Sequence, residues 1–293
     1  MKEKNIKTLV LMGVFFTSFS SILVKFSTSH PLIIATYRLL FTSIILFPIV
    51  ITKERENLKK LNLKMIGITA LSGIFLAIHF SSWFLSLRYT TVASSTVLVD
   101  THSLFVVAFS YIFLKEKVSK KALFFILLTF VGSIVISFGD FSLGKEALFG
   151  DFLAIIGAFS VSLYMIIGRS VRKYLNVNTY TFLVYSFCTM TLVILDIIFK
   201  VPFKVSSNKE YMIFLGLAVV CTLLGHSVFN FALEHVKATF VSTALLAEPI
   251  FASIMAIIFF KEMPKLTILI GGFMVLFGIF NYIKLDSKEK KVA

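Results

Sequence analysis

Long apolar runs alternate with short polar punctuation along the whole chain. Ten runs stand out, roughly 8–27, 31–51, 65–87, 91–114, 119–139, 148–168, 177–199, 210–233, 239–260 and 265–284. A bilayer core ~30 Å thick needs about 20 apolar residues in an α-helix, so each run predicts a spanning helix. Several connections are very short, such as Arg88-Tyr89-Thr90, and leave no room for an extramembrane domain. The expected fold class is all-α integral membrane, with ten transmembrane helices in one helical membrane domain.

Composition supports the same class. Apolar residues make up 58% of the 293 positions, against about 45–50% in soluble domains. The formal net charge of +14 could suggest nucleic acid. Here the Lys and Arg lie between apolar runs and no soluble domain presents a basic face, so no nucleic-acid partner is expected. The expected surroundings are the lipid bilayer. With the N-terminus placed in the cytoplasm, 20 of the 29 Lys and Arg fall on that side and 8 outside, with Arg38 inside a span. That bias predicts a multi-pass protein of the cell inner (cytoplasmic) membrane with both termini cytoplasmic. No small-x-small cleavage site follows Lys2, Lys4 and Lys7, so the first run reads as a retained helix. Cys188 and Cys221 lie inside apolar runs and read as buried, reduced thiols.

The sequence also repeats itself. Ser103 to Glu116 (SLFVVAFSYIFLKE) aligns without gaps on Pro249 to Glu262 (PIFASIMAIIFFKE) at an offset of 146. The same offset pairs Leu87 with Leu233 and Gly132 with Gly278, and an offset of 143 pairs Thr36-Tyr37 with Thr179-Tyr180. The first five helices thus repeat as the last five, in units 1–145 and 146–293. Five is odd, so the two halves must have opposite orientations in the membrane. Inverted repeats place substrate at their interface and support alternating access by rocking.

Polar residues at membrane depth are the candidate chemistry. A charge at mid-bilayer costs ~2.5–3.5 kcal/mol on insertion scales and is usually kept for binding or ion coupling. Asp100 lies mid-way along the fourth run, with Thr96 and Ser103 on its face. Glu248, beside Pro249, lies in the ninth, and under the repeat it matches His102. His79 and His226 match at an offset of 147; Trp83 shares a face with His79, and Asn230 with His226. Against this, an intramembrane acid can be a neutral packing group, a histidine a satisfied core residue, and Trp83 an interfacial anchor. Arg38 sits about two turns into the second run and must find carbonyls or an acid. Lys25 can snorkel. Lys115-Glu116 and Lys261-Glu262 at helix ends read as solvated or structural. Gly271, Gly272 and Gly278 read as positions of close helix approach. No nucleotide-binding loop, zinc spacing or nucleophile elbow is present, so neither a cofactor nor enzyme activity is expected.

Taken together, these pieces resemble the drug/metabolite transporter superfamily, specifically EamA-type ten-helix carriers. The resemblance rests on SSILVKFSTSHPLIIATYR (20–38), SLRYTTVASSTVL (86–98), LKEKVS (114–119), Gly150-Asp151 and AEPIFASIMAIIFFKE (247–262), and covers nearly the whole chain. It implies a secondary carrier of small metabolites with a central cavity lined by both halves. Ser20, His79, Trp83, Asp100, Tyr164, His226, Asn230 and Glu248 are placed there, with Asp100, Glu248 and Arg38 available for ion coupling or charge pairing. The chain departs from the family pattern in two places. Phe15-Phe16-Thr17 stands where a tryptophan is frequent, and Ser103 where a proline is frequent. Small multidrug relatives couple protons through a first-helix glutamate, which this chain lacks. If protons are a partner, Asp100 or Glu248 must carry them. The expected activity is export of small, amino-acid-like metabolites by alternating access. The alternatives are a carrier of organic cations or drugs, an uptake carrier, or a non-transporting lipid-flipping or scaffold protein. The sequence leaves the oligomeric state open.

Overall fold

A computed structural model describes residues 3–59, 61–114, 120–141, 144–172, 174–235, 241, 244–245 and 247–292. Among them the regular structure is helical. The elements are α1 (Glu3–Phe26), α2 (Pro31–Lys53), the short α3 (Arg55–Lys59), α4 (Leu63–Tyr89), α5 (Val92–Val99), α6 (His102–Leu114) and α7 (Lys120–Phe141). They continue as α8 (Lys145–Val171), α9 (Val177–Ile198), α10 (Asn208–Gly216), a π-helix (Leu217–His226), α11 (Ser227–His235), α12 (Glu248–Phe260) and α13 (Leu266–Val292).

Seven described helices are long and apolar enough to cross a membrane: Thr8–Phe26, Pro31–Lys53, Leu63–Tyr89, Val92–Phe109, Lys145–Val171, Val177–Ile198 and Asn208–Ala232. Three shorter apolar segments, Leu127–Ile136, Glu248–Phe260 and Leu266–Gly278, fall within the fifth, ninth and tenth expected runs. Residues 239–240, 242–243 and 246 of the ninth run lie outside the described residues, as do Lys115-Glu116 and the rest of the LKEKVS stretch after Leu114. Large apolar side chains such as Ile44, Phe47, Ile194, Ile258 and Phe273 are exposed on helix surfaces. Outward apolar faces of this kind suit lipid, since water would penalise them.

Helix starts follow local chemistry. Asn62 caps α4 by accepting from the Met65 N–H (2.8 Å), Thr91 caps α5 through Ser94 N–H, and Asn176 caps α9 through Thr179 N–H. Pro31 opens α2, where its missing N–H costs nothing. Two expected spans are not continuous α-helices. The fourth breaks at Asp100-Thr101, between α5 and α6, and the eighth is π-helical over its middle ten residues.

Close crossings use glycine. A Cβ at Gly271 would sit 2.6 Å from the Gly132 carbonyl oxygen, so α7 and α13 touch through their backbones. Gly278 packs as tightly, on Thr129, whereas a Cβ at Gly272 would only reach Val97 at 3.8 Å, so the expected close approach holds at Gly271 and Gly278 and not at Gly272. Gly271→Val should lower stability by about 1–3 kcal/mol through overpacking, because the obstacle is main chain that cannot swing aside. A thermal melt of the detergent-solubilised variant within a degree of the parent would contradict this crossing.

Polar clasps tie both ends of the bundle. At one end Glu210 accepts from Ser27 Oγ, the Thr28 N–H (2.9 Å), Thr28 Oγ1 (3.0 Å) and Ser29 Oγ (3.0 Å), and Arg88 Nη2 donates to the Ser27 and Ser29 carbonyls at 2.8 Å each. Lys25 pairs with Glu262, which also accepts from the Val92 N–H (3.0 Å). Lys25 is therefore an ion-pair partner rather than a snorkelling end, and Glu262 is held rather than solvated. At the other end Glu54 accepts from Asn57 (2.7 Å), Asn178 (3.0 Å) and Asn176. Burial pushes the Glu54 carboxyl up, and these amide donors outweigh it, leaving the group below its ordinary value.

Candidate functional site

One cavity is lined by His79, Trp83, Val99, Asp100, His102, Val161, Tyr164, Met165, His226, Phe229, Asn230, Leu245 and Glu248. Counted out to its open side, its empty space is about 580 Å³. Helical spacing explains much of the wall. On α8, Val161, Tyr164 and Met165 fall three and four residues apart and share a face. On α4, His79 and Trp83 are four apart, with rings stacked at 5.6 Å and 21°.

The two acids enter at helix ends, Asp100 as the C-cap of α5 and Glu248 as the first residue of α12. The Asp100 N–H closes α5 on Thr96 O (3.1 Å), and the Asp100 carbonyl then accepts from the Ser103 N–H (3.2 Å) as α6 begins. Glu248 stands in the first turn of α12, beside Pro249. Helix N-termini favour negative charge, so the backbone supports a carboxylate at Glu248, whereas Asp100, at the C-terminal end of α5, stands at the break between two helices. Thr17 Oγ1 on α1 donates to Glu248 Oε2 at 3.2 Å.

Hydrogen bonds fix the polar inventory. His79 Nδ1 lies 3.0 Å from Gly157 O and His102 Nδ1 3.2 Å from Val99 O. A carbonyl can only accept, so in the neutral rings both protons are on Nδ1 and both Nε2 atoms are acceptors. Asn230 Nδ2 donates to Tyr164 Oη (2.7 Å) and His226 O (3.0 Å). Three buried atoms of lining residues have no hydrogen-bond partner: Asp100 Oδ2, His102 Nε2 and Trp83 Nε1. The first two accept and the third donates. Buried polar atoms are normally satisfied, so these three are open to water or to a guest. Among the described residues no cluster suits a metal ion.

Seven of the eight residues expected to line a central cavity do line this one. Ser20 does not: its Oγ accepts from Arg38 Nη1 at 2.8 Å. Arg38 is also elsewhere, fully buried, with Nε donating to Thr222 Oγ1 (2.7 Å) and its guanidinium 4.3 Å above Phe80. It meets hydroxyls and aromatic faces where carbonyls or an acid were expected. Cys188 and Cys221 are free and buried, as expected. Sequence reasoning noted His102 beside Asp100 without placing it in the cavity. It gave no sign of the apolar liners Val99, Val161, Met165, Phe229 and Leu245, because a cavity-facing Val or Leu reads like a lipid-facing one.

The profile of the EamA-like transporter family matches residues 6–138 and again 148–283, together most of the chain. The chain belongs to the EamA-like transporter family. This EamA-like protein is thus a transporter of the drug/metabolite transporter superfamily. An uncharacterized transporter of Archaeoglobus fulgidus is 27% identical over 295 residues, spanning 94% of this chain and 97% of its own. The pseudopaline exporter CntI of Pseudomonas aeruginosa is 23% identical over 206 residues, 69% of this chain and 70% of its own. One solved crystal structure is similar to the EamA-like chain with a TM-score of 0.70, over 99% of this chain and 100% of its own at 13% identity, a likeness of fold alone.

Proposed function

We propose that the protein is a secondary carrier of the cytoplasmic membrane that exports small, amino-acid-like metabolites by alternating access. It works with ten spans in two inverted halves, 1–145 and 146–293, and with both termini cytoplasmic. The substrate sits in the cavity of Asp100, Glu248 and the three histidines. The observation that carries this reading is the unpartnered set of Asp100 Oδ2, His102 Nε2 and Trp83 Nε1 on lining residues. An ammonium has three donors and meets Asp100, Glu248 and His102 Nε2. A carboxylate meets the donor of Trp83 Nε1. A proton arriving at Asp100 or Glu248 competes with the ammonium, which couples outward transport to proton entry. The export direction accords with the printed name of the Pseudomonas relative.

A second reading has its own observation. Among the described residues the lining holds two carboxyls and no Lys or Arg, and Arg38 lies behind the wall. Such a cavity also suits an organic cation without a carboxylate. Thermal-shift screening of the purified protein against amino acids, amines, nucleosides and sugar phosphates separates the two. A ligand at about 100 times its Kd stabilises the folded state by ~2.7 kcal/mol. Amino acids raising the melting midpoint more than their decarboxylated amines supports the first reading, and the reverse order supports the second. Shifts that survive in both Asp100→Asn and Glu248→Gln would remove the cavity acids from either.

A further inference from the structure

The π-helix Leu217–His226 runs ten residues, where π turns are rare, mostly single, and frequent at functional sites. Thr222 stitches it from within: its Oγ1 donates to Leu217 O, five residues back, at 3.0 Å. The same oxygen accepts from Arg38 Nε at 2.7 Å. Arg38 Nη1 reaches Ser20 Oγ on α1 at 2.8 Å, so one guanidinium on α2 joins α1 to the π-helix. The guanidinium lies on the Phe80 ring, and Phe80 meets the His226 ring at 5.4 Å, nearly edge-on. His226 ends the π-helix and lines the cavity, and its carbonyl is held by Asn230, another liner. From the other side α1 presses on the same segment, because a Cβ at Gly225 would run into Thr17. Thr17 in turn donates to Glu248.

A buried guanidinium is expensive at membrane depth. If Arg38 served packing alone, an apolar side chain would fill the space without that cost. Its planar fork instead reaches two hydroxyls on two elements, a geometry lysine cannot copy. We propose that Arg38 is a positioning residue of the cavity, holding Leu217–His226 in its π register through Thr222 and thereby keeping His226 on the cavity wall. Without that contact the Thr222 hydroxyl no longer favours the five-residue spacing, and the segment returns to ordinary α-helical bonding. An α-helix turns about 100° per residue. The tighter path therefore carries His226 to another face within the same ten residues.

The inference rests on the transport reading only for its consequence, weaker substrate binding. Its test uses no substrate, so the two can fail separately. His226→Cys is introduced alone, with Thr222→Val and with Arg38→Lys, and labelled in membrane vesicles with a small methanethiosulfonate reagent. Val161→Cys, on the α8 wall, controls for access to the cavity. The native Cys188 and Cys221 are fully buried; because Cys221 lies in the segment that would change register, each background without His226→Cys sets its own blank rate. Labelling at 226 should fall at least tenfold with Thr222→Val and with Arg38→Lys, and return with Thr222→Ser, while labelling at 161 stays unchanged. Unchanged labelling at 226 in both backgrounds overturns the proposal. So does a parallel fall at 226 and 161, which would mean the cavity has collapsed. If Thr222→Val does not fold, the Arg38→Lys arm decides alone, since it keeps the charge and the bulk.

Discussion

Asp100→Asn should reduce transport in proteoliposomes by roughly 10- to 100-fold while the protein still inserts and melts near the parent. The substitution is nearly isosteric, so packing around a side chain only 3% exposed is preserved. What changes is the charge and one acceptor. A hydrogen bond to a charged group contributes about 1.5–3 kcal/mol, and each 1.4 kcal/mol is about tenfold in affinity. Neither oxygen of Asp100 is committed to a protein donor at bonding distance: Oδ2 has no partner and Oδ1 lies 3.8 Å from His102 Nδ1. An acid kept only for packing would carry a proton and bond a neighbour, and Asn would replace it without loss. Initial rates at several substrate concentrations give the reading, with the ligand that shifts melting as cargo. Full activity in Asp100→Asn would assign the acid to packing.

Glu210→Ala should be the more damaging change for stability, by about 2 kcal/mol. Its carboxylate gathers four donors from three consecutive residues, Ser27, Thr28 and Ser29. These residues are three of the four in the turn between α1 and α2, and Arg88 fastens the same turn through two carbonyls. Removing the acceptor strands the buried Ser27 hydroxyl, at about 1–3 kcal/mol for an unsatisfied buried group, while water can reach the donors of the exposed Thr28 and half-buried Ser29. The losses share one site and will not sum in full. Glu210→Gln keeps the shape and one acceptor, so it should fall between alanine and the parent. Thermal melting of the three proteins in one detergent measures the order. A loss below about 1 kcal/mol in the alanine variant would mean that water replaces the carboxylate easily and the clasp is loose.

Much of the site was legible because polar groups inside apolar runs have few other reasons to be there. Asp100, Glu248, His79, His226, Asn230, Tyr164 and Trp83 were picked on that ground and share one cavity. Direction around a helix is what the apolar pattern leaves out. Ser20 and Arg38 sit at suitable depth but turn toward each other and Thr222, and no pattern in an all-apolar helix says which face meets the cavity. The π-helix was illegible for a related reason. LAVVCTLLGH reads as an ordinary apolar helix, and the Arg38 side chain that bonds its Thr222 comes from 184 residues away in sequence. The break at Asp100-Thr101 carries neither Gly nor Pro, so periodicity ran straight through it.

Trp83 has a practical consequence. It is the only tryptophan in the chain, and its indole is part of the cavity wall with Nε1 unpartnered. All indole emission from the protein therefore originates at one place, beside the stacked ring of His79. A guest that accepts from Nε1 or displaces water from that wall changes the emission wavelength or yield, while events elsewhere in the bundle are silent. The untagged chain is thus its own optical titration probe, and occupancy can be followed by light before any transport assay exists.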